Sequence, residues 1–271
     1  TFSSKRLQYS NWLQAMEGGI DSSHVSFLHG TGLTTDPLFE GSKGNEYNLN
    51  DFKPIFEVEP SDGGLYIGAR RNAEEGNYYW RITQFVVPTF TMIPPRADHP
   101  QHGHFWVPID DENCWAWSYD YHPVRALTKD ERDAMERGEG IHVPYVPGTF
   151  RPLQNKDNDY LMDREAQKRG ESYSGIEGFA MQDASVQESM GPIVDRTKEN
   201  LVSTDNGIIM ARKVLKRAVV ALRDKGQTPP GVAVEEQRVR SVSKLIPRSE
   251  DFLEAAKEDF KVREGVKQTS V

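Results

Sequence analysis

Between Pro54 and Pro123 the chain passes through one strand candidate after another, joined by turn residues rather than by helices. Ile55–Glu59 comes first, and Asp62–Gly63–Gly64 turns the chain into Leu65–Arg70. The run from Tyr78 to Ile93 is dense in Tyr, Trp, Ile, Thr, Phe and Val, and His104 to Tyr121 is interrupted by Asp110–Asp111–Glu112–Asn113. Strands linked in this way pair as an antiparallel meander. The segment carries Trp80, Phe85, Phe90, Phe105, Trp106, Trp115, Trp117, Tyr119 and Tyr121. Large aromatics on a sheet are expected in its core, and some can instead line a cavity for a flat ligand.

The flanks follow a different period. Trp12, Ala15, Met16 and Gly19 fall at helical spacing. Ile20, Val25, Phe27 and Leu28 extend a buried segment that Gly30 and Gly32 are expected to end, and the polar stretch from Thr34 to Asp51 reads as a loop. Leu127 to Glu136 reads as a short charged helix, with Thr128 as its cap and Glu131 three residues later. Residues 138–178 are punctuated by Gly and Pro, as in a functional lid or wall. Ser203 to Lys225 has the clearest helical pattern, with Ile208, Ile209, Val214, Leu215, Val219 and Leu222 as its apolar stripe and Gly226 after its end. Residues 227–271 read as a peripheral arm of the same domain. Helices at both ends of a strand-rich middle make an α+β chain.

Composition removes several classes of function. Asp plus Glu number 41 against 33 Lys plus Arg, a formal charge of −8 with pI near 5.5, which argues against a nucleic-acid partner. Mean hydropathy is −0.67, and no apolar run approaches the roughly 18 residues of a membrane span. No basic segment followed by an apolar one opens the chain, so a soluble, cytoplasmic protein is expected. Cys114 is the only cysteine. It excludes an internal disulfide, a zinc site on paired thiolates and an iron–sulfur cluster held by this chain alone.

Chemistry concentrates in the histidines. Asp21, His24 and His29 form a D-x2-H-x4-H spacing, and two imidazoles this close behind a carboxylate can make a metal site. On a regular helix His24 and His29 would point about 140° apart, so both can face one metal only where the helix bulges or ends between them. The alternative is two ordinary helix histidines. In Asp98–His104, His102 and His104 share a face if they lie in a strand. They read as a pocket wall or loop hydrogen bonds rather than a second metal site, and His122 and His142 as ordinary polar residues.

The stretch from Asn11 to His29, NWLQAMEGGIDSSHVSFLH, resembles the iron site of Rieske-type non-haem iron ring-hydroxylating oxygenases, α subunits of the phthalate 4,5-dioxygenase-like group. The likeness continues through Gln101–Trp106 and Met181–Gly191, then Asp195–Arg196, Glu199–Leu201 and the helix after Asp205, and so covers most of the chain. It implies an antiparallel sheet gripped by helices, as in START/Bet v 1-like catalytic domains, with residues 1–226 forming the iron domain. His24, His29 and Asp183 match the three ligands of a 2-His-1-carboxylate facial triad for mononuclear Fe(II). Glu188 is the competing carboxylate. Asp21 matches the aspartate linking the ligating histidine to a neighbouring subunit's cluster, while Asn11, Glu17 and Gln187 lie nearby in the motif.

The implied activity is oxygenation of an aromatic carboxylate or diaryl ether by O2, with electrons from NAD(P)H through a reductase or ferredoxin and a Rieske [2Fe–2S] cluster. That cluster needs two cysteines and two histidines, so it is expected on an N-terminal domain that these residues lack. The resemblance also implies a homotrimer of full-length subunits. Arg70, Arg71, Arg81 and Arg96 are the sheet-region arginines available to a carboxylate. Alternation puts Arg70 and Arg71 on opposite faces, and most of the four are expected to face solvent. An O-demethylating monooxygenase and a ligand-binding domain without redox chemistry remain alternatives on the same scaffold.

Overall fold

The computed structural model describes residues 1–74, 76–263, 265–266 and 270–271. In chain order it contains β1 (Phe2–Gln8), α1 (Trp12–Ile20), α2 (Val25–Leu28), α3 (Gly32–Thr35), α4 (Lys43–Asn50), β2 (Ile55–Pro60), β3 (Gly64–Asn72), β4 (Asn77–Val86) and β5 (Phe90–Met92). There follow β6 (Gln101–Pro108), β7 (Cys114–Tyr121), α5 (Lys129–Arg137), α6 (Arg164–Lys168), α7 (Phe179–Ser189), α8 (Asn206–Lys225), α9 (Val234–Gln237), β8 (Val242–Pro247) and α10 (Phe252–Ala256).

The meander read from the sequence is present. Strand order is β1-β7-β6-β5-β4-β3-β2, every pairing is antiparallel, and β8 pairs with β4 off this path. The sheet packs against α1 and α8, whose Ala15, Met16, Ile20, Ala211 and Ala218 share a core with Leu65, Ile67, Phe85 and Trp106. Contact between α1 and the sheet is close at Gly19. A Cβ there would sit 3.0 Å from Thr91 Oγ1 and 3.2 Å from Trp106 Nε1, so a larger residue would fit only if those side chains gave way.

Several expectations need correction. The chain begins with a strand, β1, before its first helix. The segment read as a loop from Thr34 to Asp51 contains α4, and Gly32 begins α3 rather than ending the buried segment. On α8 the residues facing the sheet are Gly207, Ala211 and Ala218, with Val214 and Leu215 partly buried, whereas Val219 and Leu222 are exposed. Small residues let the helix approach the sheet. The C-terminal segment is not peripheral either. β8 pairs with β4 from Ile82↔Val242 to Asn77↔Pro247, and Phe252, Ala256 and Phe260 bury Trp80 and Ile82 from the outer side. Of the aromatics, Trp80, Phe85 and Trp106 are buried, while Phe105 and Trp117 stand exposed on the outer face of β6 and β7. Cys114 opens β7, fully buried, and burial pushes its thiol up to about 12. The Thr128–Glu131 capping box forms as read. No helix of the described residues is long and apolar enough to cross a membrane.

Candidate metal centre

Helix α1 stops at Ile20 because Asp21 turns extended, with φ −86° and ψ 113°. Asp21 Oδ1 accepts from the Ser23 backbone N–H at 2.7 Å and from the Ser23 hydroxyl at 2.6 Å, a local carboxylate turn that competes with helix continuation. One turn of helix follows. His24 precedes α2 and His29 follows it, so the helix ends between the two histidines as their spacing required. Their Nε2 atoms converge to 3.1 Å, with ring centroids 4.9 Å apart and planes at 77°.

Asp183, on α7, completes the cluster. Its Oδ1 lies 3.1 Å from His29 Nε2 and 3.5 Å from His24 Nε2. The ligand atoms of His24, His29 and Asp183 all lie within 4.8 Å of one another, the sole such group among the described residues. Glu188, one helical turn further on, accepts from the Tyr9 backbone N–H and the Tyr160 hydroxyl, away from the cluster. Two imidazole nitrogens and one carboxylate oxygen suit a borderline divalent metal such as Fe(II). The donor set therefore fits the ion that the sequence resemblance implied.

Each histidine is held from behind. His24 Nδ1 faces Asp21 Oδ2 at 3.3 Å, and His29 Nδ1 faces Gln182 Oε1 at 2.7 Å. Burial alone would lower the His24 pKa, but the hydrogen bond to Asp21 and the charges of Asp183 and Asp21 raise it on balance. Burial likewise pushes the Asp183 carboxyl up. The two histidines and the Arg6 guanidinium outweigh that and hold it at about 2. Asp183 is therefore an anionic oxygen donor beside two imidazoles.

Arg71 fastens the turn that carries the first histidine. Its Nη2 donates to Ser22 O at 2.6 Å and its Nε to Asp51 O at 3.0 Å, with Ser22 and Ser26 hydroxyls at 3.2 and 3.4 Å. Burial, then the neighbouring Arg81, lower its pKa to about 10. Glu17 ties α1 to Arg212 on α8 and to Arg196 in the segment before α8, and Glu199 bridges the same two arginines. Asn11 caps α1. Gln187 accepts from Gln8 Nε2 at 2.6 Å, and Gln14 Nε2 donates to its carbonyl at 3.0 Å, locking α7 against α1.

A cavity adjoins the cluster, with Arg81, Arg96, His102, His104 and Trp106 in its wall. The expectation that most of the four arginines face solvent is wrong. Arg71, Arg81 and Arg96 are 1%, 2% and 4% exposed, and only Arg70, paired with Glu57, faces outward. Arg81 Nε and Nη1 and Arg96 Nη1 are buried without a hydrogen-bond partner among the described residues. Burial, then the charge of Arg81, bring Arg96 down to about 9. His102 and His104 line this wall as read, held neutral by burial, with His104 lowered to about 3. His142 departs from its reading as an ordinary polar residue. It is buried between Asp120 at 2.8 Å and Ser4 at 2.6 Å, beside the cavity residue His104, and Asp120 is pushed up by burial.

Sequence reasoning missed Gln182 and Arg71 as supports of the histidines. Adjacency to Asp183 was the available signal for Gln182. For Arg71 the signal was its place on the inward face of β3.

Residues 3–270 match the family described as LigXa C-terminal domain like. The chain is 34% identical to the 3-chlorobenzoate-3,4-dioxygenase oxygenase subunit of Comamonas testosteroni, over 90% of this chain and 59% of that one. Identity to the phthalate 4,5-dioxygenase oxygenase subunit of Pseudomonas putida is 32%, over 79% of this chain and 49% of the relative. The 5,5'-dehydrodivanillate O-demethylase oxygenase subunit of Sphingobium sp. (strain NBRC 103272 / SYK-6) is 24% identical, over 88% and 47% respectively. The chain thus spans about half the length of the curated relatives it matches.

Proposed function

This chain belongs to the LigXa C-terminal domain-like family, catalytic domains of Rieske oxygenases of the phthalate-dioxygenase-like kind, and we propose on that premise that it is the oxygen-activating part of an aromatic-ring oxygenase. His24, His29 and Asp183 would hold one Fe(II), and their convergence within 4.8 Å is the observation that carries the reading. When bound, that iron supplies the site where dioxygen is activated with electrons delivered from outside. A single buried cysteine cannot ligate a Rieske cluster, so the cluster is assigned to residues beyond this chain and its reductase or ferredoxin to separate proteins. The trimer implied by the sequence resemblance belongs to the same proposal.

The chain's own side chains bind, orient and shield. Asp21 accepts from His24 Nδ1, keeping Nε2 free of a proton, and on the sequence resemblance it would link this histidine to a cluster of a neighbouring subunit. The substrate class we assign is an aromatic carboxylate. Arg81 and Arg96, in the cavity wall, carry two buried positive charges and three nitrogens with no hydrogen-bond partner among the described residues. A carboxylate accepts such donors and neutralises such charges, whereas an uncharged diaryl ether leaves both unsatisfied. Ile93, Phe39, Ile141, Phe179 and Trp106 offer apolar wall to the ring. O-demethylation is the second reading, supported by the likeness to the 5,5'-dehydrodivanillate O-demethylase oxygenase subunit.

The test is anaerobic titration of the purified chain with Fe(II), followed by benzoate. One iron per chain, and benzoate binding that perturbs the iron's spectrum, are expected. Failure to bind stoichiometric iron sinks the reading. In the complete oxygenase with its electron donors, formaldehyde release from a methoxybenzoate would shift the assignment to demethylation.

A further inference from the structure

The two histidines of the centre are backed by different chemistry, and one of the backings orients itself. Gln182 is buried at 7% exposure, and its Nε2 lies 2.9 Å from the carbonyl oxygen of Ile176. A carbonyl can only accept, so the amide NH2 must point there. The amide oxygen is thereby turned to His29 Nδ1 at 2.7 Å. An oxygen that only accepts requires Nδ1 to carry the proton. Nε2 of His29 is left with its lone pair among His24 Nε2 and Asp183 Oδ1, each 3.1 Å away.

We propose that Gln182 is a positioning residue of the metal centre, which fixes the Nδ1–H tautomer and the ring orientation of His29 through the Ile176 carbonyl. This rests on the assignment of His24, His29 and Asp183 as ligands. Two consequences follow from the geometry. Gln182 and Asp183 are consecutive residues of α7, so one helix supplies a ligand and the support of another ligand, and both shift together if the helix shifts. The two imidazoles are also unequal donors. His24 is backed by a carboxylate, which draws its Nδ1 proton and strengthens Nε2 as a donor, while His29 is backed by a neutral amide.

The competing role for Gln182 is space filling under His29. Gln182→Met keeps the volume and removes the acceptor, whereas Gln182→Glu keeps an acceptor at the same reach. The probe is Co(II) alone, titrated anaerobically into the whole chain, with the melting temperature of each metal-free variant checking that the fold is retained. Gln182→Met is expected to weaken Co(II) binding by about 10–100-fold, and Gln182→Glu to stay within about threefold of the parent. Nitrogen-15 NMR of the Zn(II)-loaded protein should find His29 protonated at Nδ1, with that proton slow to exchange in the parent and fast in Gln182→Met. Equal affinities for Gln182→Met and the parent, equal weakening in both variants, or a His29 proton on Nε2 would each overturn the proposal. If the parent chain itself binds no Co(II), the ligand assignment has failed rather than the role of Gln182.

Discussion

The Nε2 atoms of His24 and His29 lie 3.1 Å apart although a continuous helix would turn them away from each other. The break at Asp21 and the single turn of α2 bring them together. Holding two imidazoles and the Asp183 carboxylate at this distance is a cost of folding that a bound cation offsets. Fe(II) or Co(II) at 100 times its Kd should therefore stabilise the parent by about 2.7 kcal/mol. That is a rise of several degrees in Tm. Asp183→Ala and His29→Ala should show no such rise. Metal-dependent stabilisation that survives both substitutions would place the ion elsewhere.

Arg81 and Arg96 should have opposite effects on stability and on binding. Each is a buried cation whose unpaired donors await an anion. Removing an uncompensated buried charge favours the ligand-free fold, by about 1 kcal/mol or more where the replacement packs well. Losing a charged hydrogen-bond partner costs a bound carboxylate about 1.5–3 kcal/mol, or about 10–100-fold in affinity. Arg81→Met and Arg96→Met should melt at or above the parent's Tm and bind benzoate more weakly by calorimetry. Benzoate affinity equal to the parent's would remove both arginines from the substrate site.

His102 and His104 tie stability to mild acid. Burial, followed by the charge of Arg96 for His102 and of Arg6 for His104, holds both imidazoles neutral, with His104 lowered to about 3. In the unfolded chain each takes up its proton near pH 6.5. A folded-state pKa depressed in this way gives stability that is complete above about pH 6.5 and is lost as pH falls toward the folded value. Between pH 6.5 and 5, before most carboxylates titrate, the unfolding free energy from urea titrations should fall with a slope approaching about 1.4 kcal/mol per pH unit for each histidine, and the urea midpoint should fall with it. His104→Gln should flatten that slope. A midpoint unchanged from pH 7 to 5 contradicts the neutral, buried state of these rings.

Arg71 connects the sheet to the turn that carries His24. Arg71→Met removes donors from the carbonyls of Ser22 and Asp51, which should cost about 2–4 kcal/mol in denaturant unfolding. It should also weaken Co(II) binding, because the turn loses its anchor. Lys should not rescue it, since one ammonium cannot span the Ser22 and Asp51 carbonyls in fixed directions. Full recovery by Arg71→Lys would show that charge alone matters at this position.

What was legible in the sequence was whatever wrote itself in apolar periodicity. The central meander and α8 were readable for that reason. β1 was not, because the side chains it turns inward are Ser4, Arg6 and Gln8, and polar inward residues erase the two-residue hydrophobic rhythm. α4 was hidden in the same way. It buries Asn45 and Asn48, whose amides donate to the carbonyls of Leu33, Phe39 and Gly44. Asparagine is a poor helix former, so propensity pointed to a loop. The arginines were misplaced because an unpaired buried guanidinium is rare. His24 and His29 stood out by spacing. Asp183 could be chosen over Glu188 only by likeness to a family, since five residues of helix separate them and spacing favours neither.

The pairing of β8 with β4 gives the end of the chain an unexpected hold on chemistry. Ser243 lies directly across from Arg81, so a strand drawn from the final thirty residues braces the very backbone that offers a guanidinium to the cavity. Insertions, deletions or drift in that tail would change the tension on the Arg81 strand without touching a single wall residue. If Arg81 receives the carboxylate as proposed, a segment that carries none of the reacting groups can act on substrate preference through the β8–β4 pairing.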